Sequence, residues 1–224
     1  MRAVQTSPDR RPAHRAKLAQ DRSFATRKKI LQAALSLWSA RGFVEGYEAS
    51  TVEEIAAHAK TSRATVYYYF KKKEDILREL GTMTAQDIHE YALGVVERPK
   101  SVDEMLDDVV CELGRKLTAY DPAAMRLVVQ LTMSDHEAIV RDRGTGVMRA
   151  FSLVLEHAQQ AGTLRTALSP LELADILAGL CTTCCMRWSL ALDKDLTTSL
   201  RRMAAFTLAG ARALDRPPPL PARA

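Results

Sequence analysis

The sequence predicts an all-α protein of about nine helices, divided into a small N-terminal part of three helices and a larger C-terminal helical part. Three observations carry that reading. Apolar residues recur at three- to four-residue spacing through nearly every patterned segment, which is the helical period, and no alternating strand pattern survives. The chain has 224 residues but only 10 glycines and 9 prolines, several of the prolines near the two ends. Its interior is therefore poor in turn punctuation, as long helices require. Finally, residues 1–80 hold 16 Lys and Arg against 9 Asp and Glu, whereas the remainder holds 16 against 18. A basic third beside a near-neutral remainder marks two parts with different partners.

Residues 1–22 lack apolar periodicity and predict a disordered basic arm carrying Arg2, Arg10, Arg11, Arg15 and Lys17. The first helix is expected near Ser23, with Ile30, Ala34, Leu37 and Trp38 on one face, and is expected to end around Gly42 or Gly46. Thr51-Val52-Glu53-Glu54 is a capping-box pattern and opens a second, short helix with Ile55, Ala56 and Ala59 inward. After a break at Lys60-Thr61-Ser62, a third helix runs from Arg63 to Tyr69, with Val66 and Phe70 turned to the core. Glu74 to about Arg98 forms a long fourth helix. Ser101 caps a fifth. Asp121-Pro122 opens a sixth by the cap-then-proline rule. A seventh is expected from about Asp135 to Gln160, with a break near Gly144-Thr145-Gly146, and Gly162 terminates it. Ser169-Pro170 begins an apolar helix to about Leu192, and the last helix ends near Leu214 before Arg-Pro-Pro-Pro. The domain reading is thus an arm (1–22), a three-helix domain (23–72), a helical domain (73–214) and a Pro-rich tail (215–224).

Several function classes are excluded by what is missing. No apolar run approaches the roughly 20 residues that span a bilayer, and the basic N-terminus lacks the apolar stretch of a secretory signal, so a cytoplasmic location is expected. No phosphate-binding glycine loop, dinucleotide fingerprint or nucleophile elbow occurs, and the five histidines have no metal-binding spacing. An enzyme, a cofactor and a metal site are not expected. Cys181, Cys184 and Cys185 lie at i, i+3 and i+4 on one predicted helix face. The alternatives there are a thiol- or metal-responsive switch and three small hydrophobes in a packed interface.

The positive signal is in residues 51–73. Two short helices joined by a tight turn, the second rich in Thr, Tyr and Arg and followed by lysines, form a helix-turn-helix pattern. Ala56 is small where the helices cross, and Val66 is apolar where they meet. Arg63, Ala64, Thr65 and Tyr68 lie at or near the groove-facing part of the third helix. Arg63 has the geometry for guanine O6/N7, and Ala64 and the Thr65 methyl suit a thymine methyl. Thr51, Tyr67, Tyr69 and Lys73 sit where backbone phosphates are gripped, Lys60 can add a further phosphate contact, and Thr61 and Ser62 of the turn belong to the same DNA-binding set.

The segment Thr26–Leu77 resembles the DNA-binding domain of the TetR family of transcriptional regulators. The resemblance rests on Thr26-Arg27-Lys28-Lys29-Ile30-Leu31 with Ala33-Ala34, Gly-Tyr-Glu-Ala-Ser-Thr-Val from Gly46, Glu54-Ile55-Ala56, Ser62, Thr65-Val66-Tyr67-Tyr68-Tyr69-Phe70 and Lys73-Glu74-Asp75-Ile76-Leu77. It implies that Thr51 caps and touches phosphate, that Thr65 and Tyr68 enter the major groove, and that Tyr67, Tyr69 and Lys73 grip the backbone. Three departures stand out. Lys60 replaces the usual turn glycine, where a positive φ is expected. Ala64 replaces another small residue. Phe43-Val44-Glu45-Gly46 forms an apparent insertion that one extra turn on the first helix would absorb.

For the C-terminal part the resemblance implies a ligand-responsive, dimerising domain. The expected partners are a double-stranded palindromic operator, an unidentified apolar or amphipathic effector, and a second copy docked through about residues 169–192 and 195–214. Repression released by the effector is the expected action. Tyr91, Met105, Met125, Met148, Phe151 and Trp188 are the candidate effector-binding residues, because flexible Met and aromatic side chains suit an adaptable apolar pocket.

Overall fold

The structure, a computed structural model, describes residues 11–134 and 146–215. Ten helices and no strands occur among them: α1 (Arg11–Ser39), α2 (Phe43–Ala49), α3 (Val52–His58), α4 (Arg63–Tyr69), α5 (Lys73–Val96), α6 (Val102–Leu117), α7 (Pro122–Ser134), α8 (Gly146–Gln160), α9 (Pro170–Ser189) and α10 (Leu196–Ala213). The all-α class holds, and the described residues contain one helix more than expected. Contacts divide the chain into two compact units, Met1–Ile76 and Leu77–Ala224. The division falls inside α5, a few residues beyond the boundary expected from sequence. The expected arm over 1–10, the helix start over 135–145 and the tail over 216–224 lie outside the described residues.

Two differences from the sequence reading concern the first unit. Helix α1 begins at Arg11, not near Ser23, so residues 11–22 of the expected disordered arm are helical. Their composition accounts for it: Ala13, Ala16, Lys17, Leu18, Ala19 and Gln20 are strong helix formers, and Pro12 sits in the first turn, where a missing N–H costs nothing. The Phe43–Gly46 insertion, secondly, adds no turn to the first helix. Gly42 takes φ 80° and breaks the chain direction, and the four residues join Tyr47–Ala49 in a separate short helix, α2.

That extra helix is built around Trp38, which is fully buried. The indole meets the rings of Phe43 and Tyr47 edge-on, at 5.7 and 5.1 Å between centroids. Its Nε1–H donates to Ser50 Oγ at 2.7 Å. Gly46 is required by this packing, because a Cβ there would lie 2.3 Å from the Trp38 carbonyl oxygen.

In the second unit, α6, α8, α9 and α10 pack around one core that includes Leu106, Val109, Val110, Phe151, Val154, Leu177 and Leu200. Ser101 with Glu104 and Ser169 with Glu172 close reciprocal capping boxes at the starts of α6 and α9, as their sequence spacing predicts. The Asp121 side chain accepts from Ala123 N–H at the start of α7. Helix α10 closes on α6 where Gly114 admits Thr197; a Cβ on Gly114 would meet Thr197 Oγ1 at 2.4 Å. Arg201 pairs with Asp107, and Arg212 with Asp103, along the same seam.

Candidate DNA-binding face and effector cavity

The helix-turn-helix is assembled from local signals. Thr51 Oγ1 accepts from Glu54 N–H at 3.2 Å while Thr51 N–H donates to the Glu54 carboxylate at 2.9 Å, completing the predicted box. Arg41 holds the other carboxylate oxygen at 2.9 Å, and these bonds keep the Glu54 carboxyl below its ordinary pKa. Helix α3 ends in a paired turn: Lys60 N–H donates to Ala57 O and Thr61 N–H to Ala56 O, both at 3.0 Å. That motif needs a left-handed residue at its centre, and Lys60 supplies it at φ 48°. The positive φ expected for this position is present, on a residue with a β-carbon. Ser62 then caps α4, accepting from Thr65 N–H at 3.0 Å and sharing a hydrogen bond with the Thr65 hydroxyl at 2.8 Å.

Ile55, Ala56, Ala59, Val66 and Phe70 are buried between the helices, as their spacing requires. Anchored on that side, α4 turns its polar side outward. Ser62, Arg63, Ala64, Tyr67 and Tyr68 are exposed and Thr65 and Tyr69 half-buried, with Tyr68 open at 82%. Lys60 and Thr51 are exposed beside them and Thr61 is half-buried. Arg63 is preset: its Nε lies 2.8 Å from Glu53 Oε1, and its guanidinium stands over the Tyr67 ring at 5.4 Å. With Nε engaged, the two terminal nitrogens are left for an outside acceptor.

Lys73 departs from its expected role. Its ammonium donates to the carbonyls of Tyr47, Glu48 and Ser50 at 2.6, 3.0 and 2.8 Å, and lies over the Tyr47 ring. All three of its hydrogens are thereby used. Lys73 is a clamp on the carbonyl end of α2, where the helix dipole also favours a cation. It is not a free cation for phosphate.

The second unit contains a cavity of about 360 Å³ lined by α5, α6, α7, α9 and the start of α8. Met125 and Met148 line it, as expected from the sequence, and so do Leu80, Thr84, Leu113, Val128, Val129, Asp175, Cys181, Thr182 and Cys185. Tyr91, Met105, Phe151 and Trp188 do not. Met105 and Phe151 are locked in the core, and Tyr91 and Trp188 pack half-buried against it. The missed residues carry a signal at helical spacing, 80/84 on α5, 128/129 one turn beyond Met125 on α7, and 181/182/185 on α9. Periodicity identifies which residues share a face. It does not say whether that face meets another helix or a void.

Residues 30–80 match the family model described as bacterial regulatory proteins, tetR family. That segment carries the TetR-type DNA-binding domain. A DNA-binding, helix-turn-helix transcriptional regulator is what this domain entails. Among its relatives is YdeS of Bacillus subtilis (strain 168), an uncharacterized HTH-type transcriptional regulator, 28% identical over 167 residues that cover 73% of this chain and 79% of that protein. Similar solved structures include FadR of Thermus thermophilus, a TetR-family repressor in complex with lauroyl-CoA, at 22% identity and TM-score 0.68 over 88% of this chain and 100% of that one. FadR of Bacillus subtilis in complex with stearoyl-CoA aligns at 21% identity and TM-score 0.61, over 82% and 98%. SmeT of Stenotrophomonas maltophilia, repressor of the multidrug efflux pump SmeDEF, aligns at 20% identity and TM-score 0.58, over 82% and 89%. At these identities the likeness is one of fold.

The cysteines of the second unit give little support to a thiol switch. Cys181, Cys184 and Cys185 are free and buried. Burial raises the pKa of all three, well above the ordinary thiol value for Cys181 and to about 12 for Cys185. A reactive cysteine needs the opposite, a stabilised thiolate. Among the described residues no group of three His, Cys, Asp or Glu side chains is placed to hold a metal ion. No helix among them is long and apolar enough to cross a membrane.

Proposed function

We propose that this TetR-family regulator is a homodimeric repressor, released from a palindromic operator when an apolar or amphipathic small molecule enters the cavity of its second unit. The observation that carries the reading is the outward side of α4: a capped, rigidly seated helix that exposes Arg63, Ala64, Tyr67 and Tyr68 with Thr65 half-buried among them. Arg63 reads guanine, Thr65 and Tyr68 lie in the groove, and Thr51, Lys60, Thr61, Ser62, Tyr67 and Tyr69 hold phosphates. A seven-residue helix reads only a few base pairs, so two copies are needed, their α4 helices in successive major grooves roughly 34–36 Å apart.

Helices α9 and α10 are the proposed dimer face. Leu171 and Ile176 on α9, Phe206 on α10 and Leu214 at the C-terminal cap of α10 are large apolar residues left exposed, Phe206 at 67%. Exposed apolar residues grouped on adjoining helices are the usual mark of a partner surface. Acyl-CoA binding by the two similar FadR proteins supports an effector with a long apolar chain, and the cavity lies within the volume range of ligand pockets, about 300–1,000 Å³. The ligand acts by its differential affinity for two states, so operator DNA weakens effector binding by the same factor that effector weakens operator binding. The regulator works by binding, not turnover, in the cytoplasm where its DNA lies.

Selection of bound sequences from random duplex DNA, followed by titration at several salt concentrations, tests the reading. The expected result is one palindrome, bound by a dimer and lost in Tyr67→Ala. Recovery of weak, sequence-blind binding alone would overturn it.

A further inference from the structure

We propose that the cavity selects an amphiphile with a cationic head, an amine or quaternary ammonium seated at Asp175, over an anionic acyl chain. The inference rests on the effector-cavity reading above and narrows it to a chemical class. Most of the wall is hydrocarbon and glycine backbone, from Leu80, Leu113, Val128 and their neighbours. Among the described lining residues Asp175 is the one charged side chain, and no Lys, Arg or His is present to receive a carboxylate or phosphate. Nor does any described residue form an ion pair with Asp175 that would neutralise it beforehand.

The remaining polar groups agree with that sign. The Thr182 hydroxyl already donates to Ala178 O at 2.9 Å, so it offers the cavity lone pairs, which accept from an N–H donor. The buried Cys181 and Cys185 thiols stay protonated and add no competing charge. Space is available beside the carboxylate as well. Gly179, one turn along α9, lines the cavity, and a Cβ built on it would meet nothing within 4 Å. A head group has room to sit between Gly179 and Asp175 while its chain runs into the apolar wall. An anionic head there meets a like charge with no compensating cation among the described lining residues, the arrangement by which sites reject wrong partners.

Calorimetric titration of the full chain with four probes that share a twelve-carbon chain, at submicellar concentration, tests the inference. Dodecanol reports the apolar cavity alone. Dodecylamine is expected to bind about fivefold tighter than dodecanol, the effect of a partly exposed ion pair, and dodecanoate and lauroyl-CoA more weakly than dodecanol. Asp175→Asn is expected to erase the lead of the amine over dodecanol, and an unaltered thermal melt shows that the variant keeps its fold. In the unmodified chain the lead shrinks as salt is raised. Equal or tighter binding of dodecanoate or lauroyl-CoA, or an order of affinities unaltered in Asp175→Asn, would sink the cationic class while the cavity reading stands. Failure of all four chains to bind removes the cavity reading, and this inference with it.

Discussion

The outward side of α4 and the cavity side of α9 both present side chains that the rest of their unit leaves uncovered, yet they are made in opposite ways. Helix α4 is seven residues long, and nearly everything that orients it is close in sequence: the Ser62 cap, the turn at Lys60, and Val66 and Phe70 beneath. Helix α9 is 20 residues long, and its cavity residues become a wall only because α5, α6, α7 and the start of α8 stand around them without closing the space. A surface for a large, regular partner such as DNA can be set by local structure. A hole for a small partner is a property of several helices at once. Mutations should therefore act in the head through single named bonds, and in the cavity through volume and charge.

The largest expected effect tests the head directly. Arg63→Ala should weaken binding to the selected operator by about 10- to 100-fold, corresponding to about 1–3 kcal/mol of base discrimination, and leave sequence-blind binding nearly unchanged. Titration against operator and scrambled duplex measures both. Equal losses on the two duplexes would make Arg63 a phosphate contact, and the preset geometry with Glu53 and Tyr67 would then have no role in reading sequence.

Next in size is the clamp. Lys73→Met keeps the alkyl stem but leaves the carbonyls of Tyr47, Glu48 and Ser50 without their donor. The expected cost is about 1–3 kcal/mol of stability, felt at the α2–α3 corner, visible as faster amide exchange over residues 43–51. Full stability combined with a lower salt dependence of DNA binding would return Lys73 to the phosphate role that the resemblance implied.

Smaller again is a pH effect in the second unit. The hydrogen bond from Arg212 holds the Asp103 carboxyl below its ordinary pKa of 3.8. A carboxyl depressed in the folded state contributes stability above its unfolded pKa and loses it as pH falls through the folded value. The pair is partly exposed, so the contribution is about 0.2–1 kcal/mol. Asp103→Asn should melt lower than the parent chain at neutral pH, and the gap should close as the medium is acidified below about pH 4. A gap that persists at about pH 2, well below the ordinary carboxyl range, would assign the effect to packing instead of charge.

The smallest expected change is a gain. Lys60 holds φ 48° with a β-carbon, at a strain of about 1 kcal/mol or slightly more, while glycine in its place adds back some unfolded-state entropy. Lys60→Gly should therefore raise stability by about 1 kcal/mol or less, read as a shift in the denaturation midpoint. Any accompanying loss of operator affinity measures the phosphate contact of the lysine.

Much of the head is legible in the sequence. The Thr51–Glu54 box, the turn at Lys60, and the bounds of α4 at Arg63 and Tyr69 all follow from interactions within a few residues, and each is present. The same locality explains where the sequence misleads. A polar but strongly helix-forming stretch, residues 11–22, has no apolar stripe, so periodicity alone makes it look disordered. Phe43–Gly46 has the length of one helical turn, and only the packing of Phe43, Gly46 and Tyr47 around Trp38 makes it part of a separate helix.

The sequence by itself determined the all-helical class, the capping residues, the helix-turn-helix and its outward face, because these arise from backbone geometry and side chains within one or two turns. Tertiary structure decided which methionines line a cavity and which fill the core, and that Lys73 is consumed by three carbonyls more than 20 residues away. It also decided that Asp175 is the one charged side chain among the described lining of that cavity. Burial, voids and the pairing of a charge depend on what distant segments bring alongside. No local pattern encodes that.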